Sequence, residues 1–224
     1  MAEPTIAFGA AASFGALTGW VEQSSGSTVA SDRASVLGAT GNEAVSKLHN
    51  AGTQVSTPYK ASVTGSAPTI PATLGAIVNS LDLTGISIST TAGDFASMTL
   101  TGHNHSDNAH AASPVLRFAA HGITLADGFG AKDFLGGTAG ADASVESSTI
   151  NISAQHVDIL AGATGNHLIG QNYNAMIEAE TVWSGVPGTA SSGWDQVSVE
   201  TRTTNTGFLQ TIVRGTKTLA LALV

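Results

Sequence analysis

The sequence predicts an all-β protein built from two tandem copies of a small β-sandwich or barrel unit. Three observations lead to this prediction: an internal repeat, short segments in which apolar and polar residues alternate, and turns rich in Gly, Asn, Ser and Thr. Strands with one apolar and one polar face, separated by such turns, are typical of sandwiches and barrels. The repeat places the first unit at residues 1–112 and the second at residues 113–224.

The repeat rests on two matching stretches. The pentapeptide Gly-Ala-Thr-Gly-Asn occurs at Gly38–Asn42 and again at Gly162–Asn166, and the alignment of residues 38–59 with residues 124 positions later contains eight identities in 22. A second match aligns Phe95–Gly102 with Phe208–Gly215 at an offset of 113. Because the period is about half the chain, it indicates a duplicated domain rather than a solenoid.

The first element in chain order is the apolar stretch Thr5–Val21, which we interpret as an early strand and a packing arm. It is too short and too glycine-rich to span a bilayer well. Glu3 and Pro4 precede it, with no Lys or Arg, and this argues against a signal peptide. We therefore expect no membrane partner.

Each pentapeptide lies between two predicted strands and is interpreted as a hairpin turn in which glycine adopts positive φ. A phosphate-binding role for these glycine-rich loops is disfavoured, because no lysine follows and no helix begins there. The predicted turn residues are Gly38, Gly41 and Asn42 in the first copy and Gly162, Gly165 and Asn166 in the second.

A short helix is predicted over residues 69–81 of the first copy. Its apolar residues follow helical spacing, Thr69 can cap the N-terminus and Pro71 falls in the first turn. The second copy replaces it with the loop 186–193, which explains the decrease of the offset from 124 to 113. The remaining elements are strands, with clear alternation over residues 81–84, 85–89, 148–153, 176–182 and 196–200.

The composition favours assembly. Charged residues make up 11% of the chain, against roughly 25% in ordinary globular domains. Small neutral side chains cost little to desolvate, so we expect much of the surface to be buried in a homo-oligomer, the alternative being an exported protein with a weakly charged surface. The net charge of −8 and the scattered basic residues argue against sequence-specific nucleic-acid binding, and the absence of cysteine excludes disulfides.

One cluster could carry chemistry. His103 and His105 would project from the same face of a strand and could share a metal ion, with Asp107 or His110 completing the site. The more conservative interpretation, which we favour, is a polar loop joining the two copies. No nucleophile, phosphate-binding or zinc-protease motif is present, so the sequence predicts no catalysis and no cofactor.

The overall pattern resembles the tail-tube-type proteins of tailed bacteriophages, and the strands and turns of residues 27–64 and 148–184 carry the resemblance. It implies a virion structural protein, assembled in the host cytoplasm with other virion proteins. It also implies rings that stack into a tube, with three two-domain chains forming a pseudo-sixfold ring. DNA would pass through the lumen without binding to it, because an acidic surface repels the DNA phosphates.

Two alternatives remain open at the level of sequence. One is a different β-rich virion protein: a capsid decoration, baseplate or fibre-associated protein. The other is a metal-binding protein that uses His103 and His105.

Overall fold

About 64% of the described residues lie in β-strands in the computed structural model, which describes residues 13–74, 77–78, 81–105, 116–117, 123–137, 143–165, 167–187, 193–203 and 207–219. No helix occurs within these ranges, so the predicted all-β class is confirmed. The strands are β1 (Trp20–Glu22), β2 (Gly26–Leu37), β3 (Glu43–Ala61), β4 (Thr73–Leu74), β5 (Ile77–Val78), β6 (Leu81–Thr91), β7 (Ser97–His105), β8 (Leu116–Arg117), β9 (Ser144–Leu160), β10 (His167–Ser184), β11 (Gln196–Thr203) and β12 (Leu209–Thr218).

Ten of these strands form one large antiparallel sheet, and β4 and β8 form a small second one. In the large sheet the first half of the chain contributes the neighbours β2-β3-β7-β6, and the second half contributes β9-β10-β12-β11. Pairing of β6 with β9 joins the two groups, while β1 flanks β3 and β5 flanks β6. The result is a β-sandwich-like fold in which one extended sheet dominates.

The two groups of four strands share their pairing register as well as their order. Thr57 lies opposite Leu100 between β3 and β7, and Thr181 lies opposite Val213 between β10 and β12. These two pairs are related by the sequence offsets of 124 on one strand and 113 on the other. Likewise, Ile86 pairs with Leu100, and Val199 pairs with the same Val213.

Both long hairpins carry a β-bulge at the same place. The β2–β3 register shifts between Ala30 and Asp32, and the β9–β10 register shifts between Tyr173 and Met176. Asn174, at the second bulge, has a φ of 48°, which asparagine tolerates better than most residues. Beyond the bulges, each hairpin pairs only with itself among the residues that the structure describes, and it extends from the sheet. We call residues 32–49 the first arm and residues 155–173 the second arm.

The core lies on one face of the sheet. Side chains from central strands of both halves are buried in a single cluster, and irregular segments before and after them supply further covering side chains such as Phe14, Leu125 and Leu135. The opposite face is polar and solvent-accessible. There the Ser87 hydroxyl donates to Asn151 Oδ1 across the β6–β9 junction at 2.6 Å. The alternation seen in the sequence therefore separates a buried face from a polar one.

The helix predicted over residues 69–81 is wrong for the residues described there. Thr73–Leu74 pairs with β8 and Ile77–Val78 pairs with β6. Leu74 and Leu81 are buried in the core, but they belong to strands β4 and β6 and not to a helix. Helical spacing over a short segment containing Pro71, Gly75 and β-branched residues is weak support for a helix, and pairing with neighbouring strands outweighs it.

The proposed boundary near residue 112 lies outside the described residues, as do residues 5–12 of the early strand proposed for Thr5–Val21. Residues 13–19 of that segment are irregular, and its last two residues, Trp20 and Val21, belong to β1. The described part of the chain contains no helix that is long and apolar enough to cross a membrane.

Tyr59 predicts a specific loss of stability at alkaline pH. It is almost completely buried and its hydroxyl donates to the Gly15 carbonyl oxygen at 2.8 Å. Burial, with the nearby charge of Glu22, raises the pKa of Tyr59 from 10.0 to about 12. Because the unfolded chain ionises first, stability is complete below pH 10 and decreases as the pH rises towards 12, by about 1 kcal/mol between pH 10 and 11.

Urea unfolding at pH 8, 10 and 11 measures this decrease. Tyr59→Phe should be less stable at pH 8 by about 1 kcal/mol, because a hydrogen bond is lost, and should lose less additional stability between pH 10 and 11 than the wild type does. Tyr173→Phe, on the exposed second arm, is the matched control and should behave as the wild type. An unchanged alkaline decrease in Tyr59→Phe would contradict the assignment.

Candidate functional site

The two pentapeptides lie at the tips of the two arms. Gly41 and Gly165 have φ values of 78° and 72°, the left-handed conformation that glycine adopts without strain. In the first tip the Gly38 amide donates to the Asn42 carbonyl oxygen at 2.7 Å, and in the second the Gly165 amide donates to that of Ala161 at 2.7 Å. Gly162 lies in the second turn, and Asn166 falls outside the described residues.

The tip of the second arm contacts the first arm. Lys47 Nζ donates to the Thr164 carbonyl oxygen at 2.8 Å. The His49 ring lies so close to Gly165 that a Cβ at this position would come within 3.1 Å of His49 Cδ2. A side chain larger than glycine would therefore crowd this contact as well as strain the turn.

A groove with a volume of about 830 Å³ lies between the sheet-paired part of the β2–β3 hairpin, residues 26–32 and 52–56, and the base of the second arm. Strands β2, β3 and β7 and the β9 residues Ala154 and His156 form its walls, which are mostly Ser, Thr and Gly. Ala30, Val55 and Ala154 are the apolar side chains in its lining and no aromatic residue contributes, so it does not resemble the aromatic-lined apolar pocket of a small-molecule site. His103 and His156 are the titratable side chains along its inner wall, together with Asp32 near its edge.

A compact cluster of metal-ligating groups forms where β6, β7 and β9 meet. Asp82, His103 and His156 each place one ligand atom within 4.8 Å of the others. His103 Nε2 lies 3.9 Å from Asp82 Oδ2, and the two imidazole ring centroids are 3.9 Å apart with the rings inclined by 59°. Asp82 is only 1% exposed, whereas both histidines are partly accessible.

This cluster overlaps the predicted histidine site in one residue. His103 belongs to it, the described backbone of His105 continues β7, and His110 and Asp107 lie outside the described residues. The sequence analysis missed Asp82 and His156. Asp82 sits at a polar position of the alternating segment 81–84, which is the one available signal. His156 is distant in sequence from both partners and no spacing points to it.

The two outer edges of the large sheet are a second candidate site. β2 pairs only with β3, and β11 pairs only with β12, among the strands that the structure describes. All residues of β11 and nearly all of β2 are exposed. Val29 on β2 is 40% exposed and Val199 on β11 is 59% exposed. Long exposed strand edges with apolar side chains are sites for pairing with another chain.

Charges are sparse on the polar face of the sheet. In the second half, Arg214 Nε donates to Glu180 at 2.6 Å and Arg214 Nη1 donates to Glu200 at 3.1 Å. These hydrogen bonds, to Glu200 first and Glu180 second, raise the pKa of the guanidinium. At the offsets of 124 and 113, Glu180 corresponds to Ser56, Arg214 to Thr101 and Glu200 to Ser87. All three residues in the first half are uncharged. The polar face therefore presents small hydroxyl and amide groups with a slight acidic excess in this region.

No protein-family model matches this chain, and no curated protein matches it at a significant level.

Proposed function

We propose that this chain is a structural protein that assembles with copies of itself through its sheet edges, and that it consists of two fused copies of one β unit. The support for duplication is the shared strand order, register and bulge position of the two halves. The same order of four strands occurs in both halves. Equivalent residues in the paired strands are separated by 124 or 113 positions, the two offsets found in the sequence matches. Chance similarity in a Gly/Ala/Thr-rich chain does not explain agreement in pairing as well as in sequence.

The observation that carries the assembly proposal is the β6–β9 junction inside the chain. In this junction β6, which lies at one side of the four-strand group β2-β3-β7-β6, pairs with β9, the first strand of the group β9-β10-β12-β11. β11 occupies the place of β6 in the second half, and β2 occupies the place of β9 in the first half. A chain that joins its two halves through β6 and β9 presents the equivalent edges, β11 and β2, to its neighbours. Repeating that junction between chains generates a head-to-tail array.

The junction also predicts the register between chains. Within the chain, Ile86 lies opposite Ile152, and these side chains are 2% and 1% exposed. Strand pairing aligns Ile86 with Val199 and Ile152 with Val29. The two valines that remain exposed on the outer edges are thus the counterparts of a buried isoleucine pair. Pairing β11 with β2 of the next chain would bury them against each other.

Ring closure accounts for the polar face. Three chains contribute eight strands each, and 24 strands spaced about 4.8 Å apart and tilted by about 40° close into a ring with a backbone diameter of about 50 Å. The face covered by irregular segments points outwards, and the Ser, Thr and Asn face lines the lumen. An acidic, weakly charged lumen repels DNA mildly instead of binding it. A closed ring with such a lumen is the arrangement that the tail-tube-type role in a virion requires.

Cysteine cross-linking tests the proposed junction, and the absence of native cysteine makes it clean. The Val29→Cys/Val199→Cys double variant should form intermolecular disulfides on oxidation, because facing residues in an antiparallel pair have Cα separations that a disulfide spans. Non-reducing gel electrophoresis should show a ladder that ends at the closed ring, at three chains if the ring is a trimer.

Val29→Cys/Val197→Cys is the matched control. Val197 is also 40% exposed on β11, but it lies two residues out of the predicted register, so its cross-linking should be much weaker. Equal cross-linking of both variants, or monomers alone at micromolar concentration, would refute the junction.

A further inference from the structure

We propose that Asp82, His103 and His156 form a binding site for one divalent first-row transition metal ion of the Zn²⁺ type. The site fastens the base of the second arm to the first half of the sheet. All three ligands belong to one chain, so the site does not depend on ring assembly.

The donor set has the chemistry that such ions select. Two imidazole nitrogens and a carboxylate oxygen suit Zn²⁺ and its neighbours in the series, whereas Ca²⁺ and Mg²⁺ prefer oxygen ligands alone. Ligand atoms around a tetrahedral Zn²⁺ are about 3.4 Å apart, given metal–ligand distances near 2.0–2.1 Å. The three donors already lie within 4.8 Å of one another, so side-chain movements of at most about 1.5 Å bring them to coordination distance.

The fold holds the three ligands from different strands. Asp82 and His103 are directly paired across β6 and β7, next to the bulge between Leu83 and Gly85. Pairing of β6 with β9 ends at Gly85 and Ser153, and three residues later β9 brings His156 against the His103 ring. Two ligands therefore come from the first half of the chain and the third comes from the second half.

Burial and access both fit a bound cation. The Asp82 side chain is almost completely removed from solvent, and a divalent ion at this position would offset the cost of holding a carboxylate there. The two histidines line the groove beside the base of the second arm, which leaves room for a water molecule as a fourth ligand. A metal site with three protein ligands and one open position is typical of zinc sites that exchange solvent.

Calorimetric titration of ZnCl₂ into the untagged full-length chain tests the proposal. The wild type should bind one Zn²⁺ per chain, and Co²⁺ in its place should give the visible absorption bands of a four-coordinate site. His156→Gln and His103→Gln should each weaken binding by about 100-fold or more and abolish the Co²⁺ bands. His49→Gln is the matched control, because His49 lies on the first arm outside the cluster, and it should bind as the wild type.

Two results would overturn the proposal. One is a wild type that takes up no stoichiometric Zn²⁺. The other is binding that survives His156→Gln but is lost in His105→Gln/His110→Gln, because this would assign the metal to the histidines that follow His103 in sequence. Circular dichroism of each variant establishes that it is folded, and Asp82→Asn, which keeps the shape of the side chain, provides a third independent test of the ligand set.

Discussion

Val199→Lys is expected to remain monomeric at concentrations at which the wild type assembles. In the proposed junction, Val199 lies opposite Val29 of the next chain and becomes buried as its counterpart Ile86 is buried inside the chain. Replacing it with lysine removes the apolar contact and places a charge in a desolvated position. We expect a cost of about 3 kcal/mol per junction, or about a 150-fold weaker junction. The folded chain should be unaffected, because Val199 is exposed within it.

Mass photometry and sedimentation over a range of concentrations measure the loss. Val186→Lys is the matched control: Val186 is exposed to a similar degree, at 57%, but lies in the turn after β10 and not on an outer edge. The proposal predicts that this variant assembles normally. It would be contradicted if Val199→Lys assembled at wild-type concentrations, or if both lysine variants were equally impaired.

Gly102→Ala is expected to destabilise the folded chain by about 3 kcal/mol or more, the upper end of the cost of overpacking. A Cβ at this position would collide with the backbone carbonyl oxygen of Asp82 and would come within 2.6 Å of Phe14 Cζ. The carbonyl belongs to a paired neighbouring strand, so it cannot move without disrupting the β6–β7 register. The same displacement would disturb the Asp82–His103 pair.

Two further glycines provide a graded comparison. At Gly215, the counterpart of Gly102 in the second half, a Cβ would meet the side chains of Leu135 at 2.5 Å and Trp194 at 2.8 Å. Side chains can rotate away, so Gly215→Ala should cost less than Gly102→Ala. Gly26→Ala meets nothing within 4 Å and should be neutral or slightly stabilising. Urea unfolding of the monomer measures the free energy of unfolding of all three variants. If Gly102→Ala lost no more stability than Gly26→Ala, β6 would have to move aside without a measurable energetic cost.

The sequence predicted the strands well because alternation reflects a property that each strand carries locally. A strand with one apolar face can be recognised whatever its neighbours are, and the segments 148–153 and 196–200 lie in strands β9 and β11 as expected. In β9 the apolar face is buried in the core, whereas all of β11 is exposed at the edge of the sheet. The segment 69–81 shows the limit of this reasoning. Its spacing fits a helix and its composition fits a strand, and pairing with β6 and β8 decides between them.

The candidate sites show a similar division. The turns at the pentapeptides were predicted because a positive φ favours glycine, which is visible in the sequence. Gly41 and Gly165 adopt that conformation at the arm tips. The candidate metal ligands His103, His105 and His110 were neighbours in sequence, for which a polar loop was the favoured interpretation, and of these His103 takes part in the cluster that the structure describes. Metal ligands on different strands have no characteristic spacing in the sequence, because the order of strands in the sheet decides which side chains meet.

Local chemistry thus dictates that this chain is all-β, where its main turns lie and that its surface carries few charges, since each of these depends on a residue and its near neighbours. The order β2-β3-β7-β6-β9-β10-β12-β11, the meeting of Asp82 with His156 and the two valines left on the outer edges are decided by long-range pairing. Hydrogen bonds between strands form between backbones that are alike along the whole chain. The partner of each strand is therefore selected by the packing of the complete sheet, which no single segment encodes.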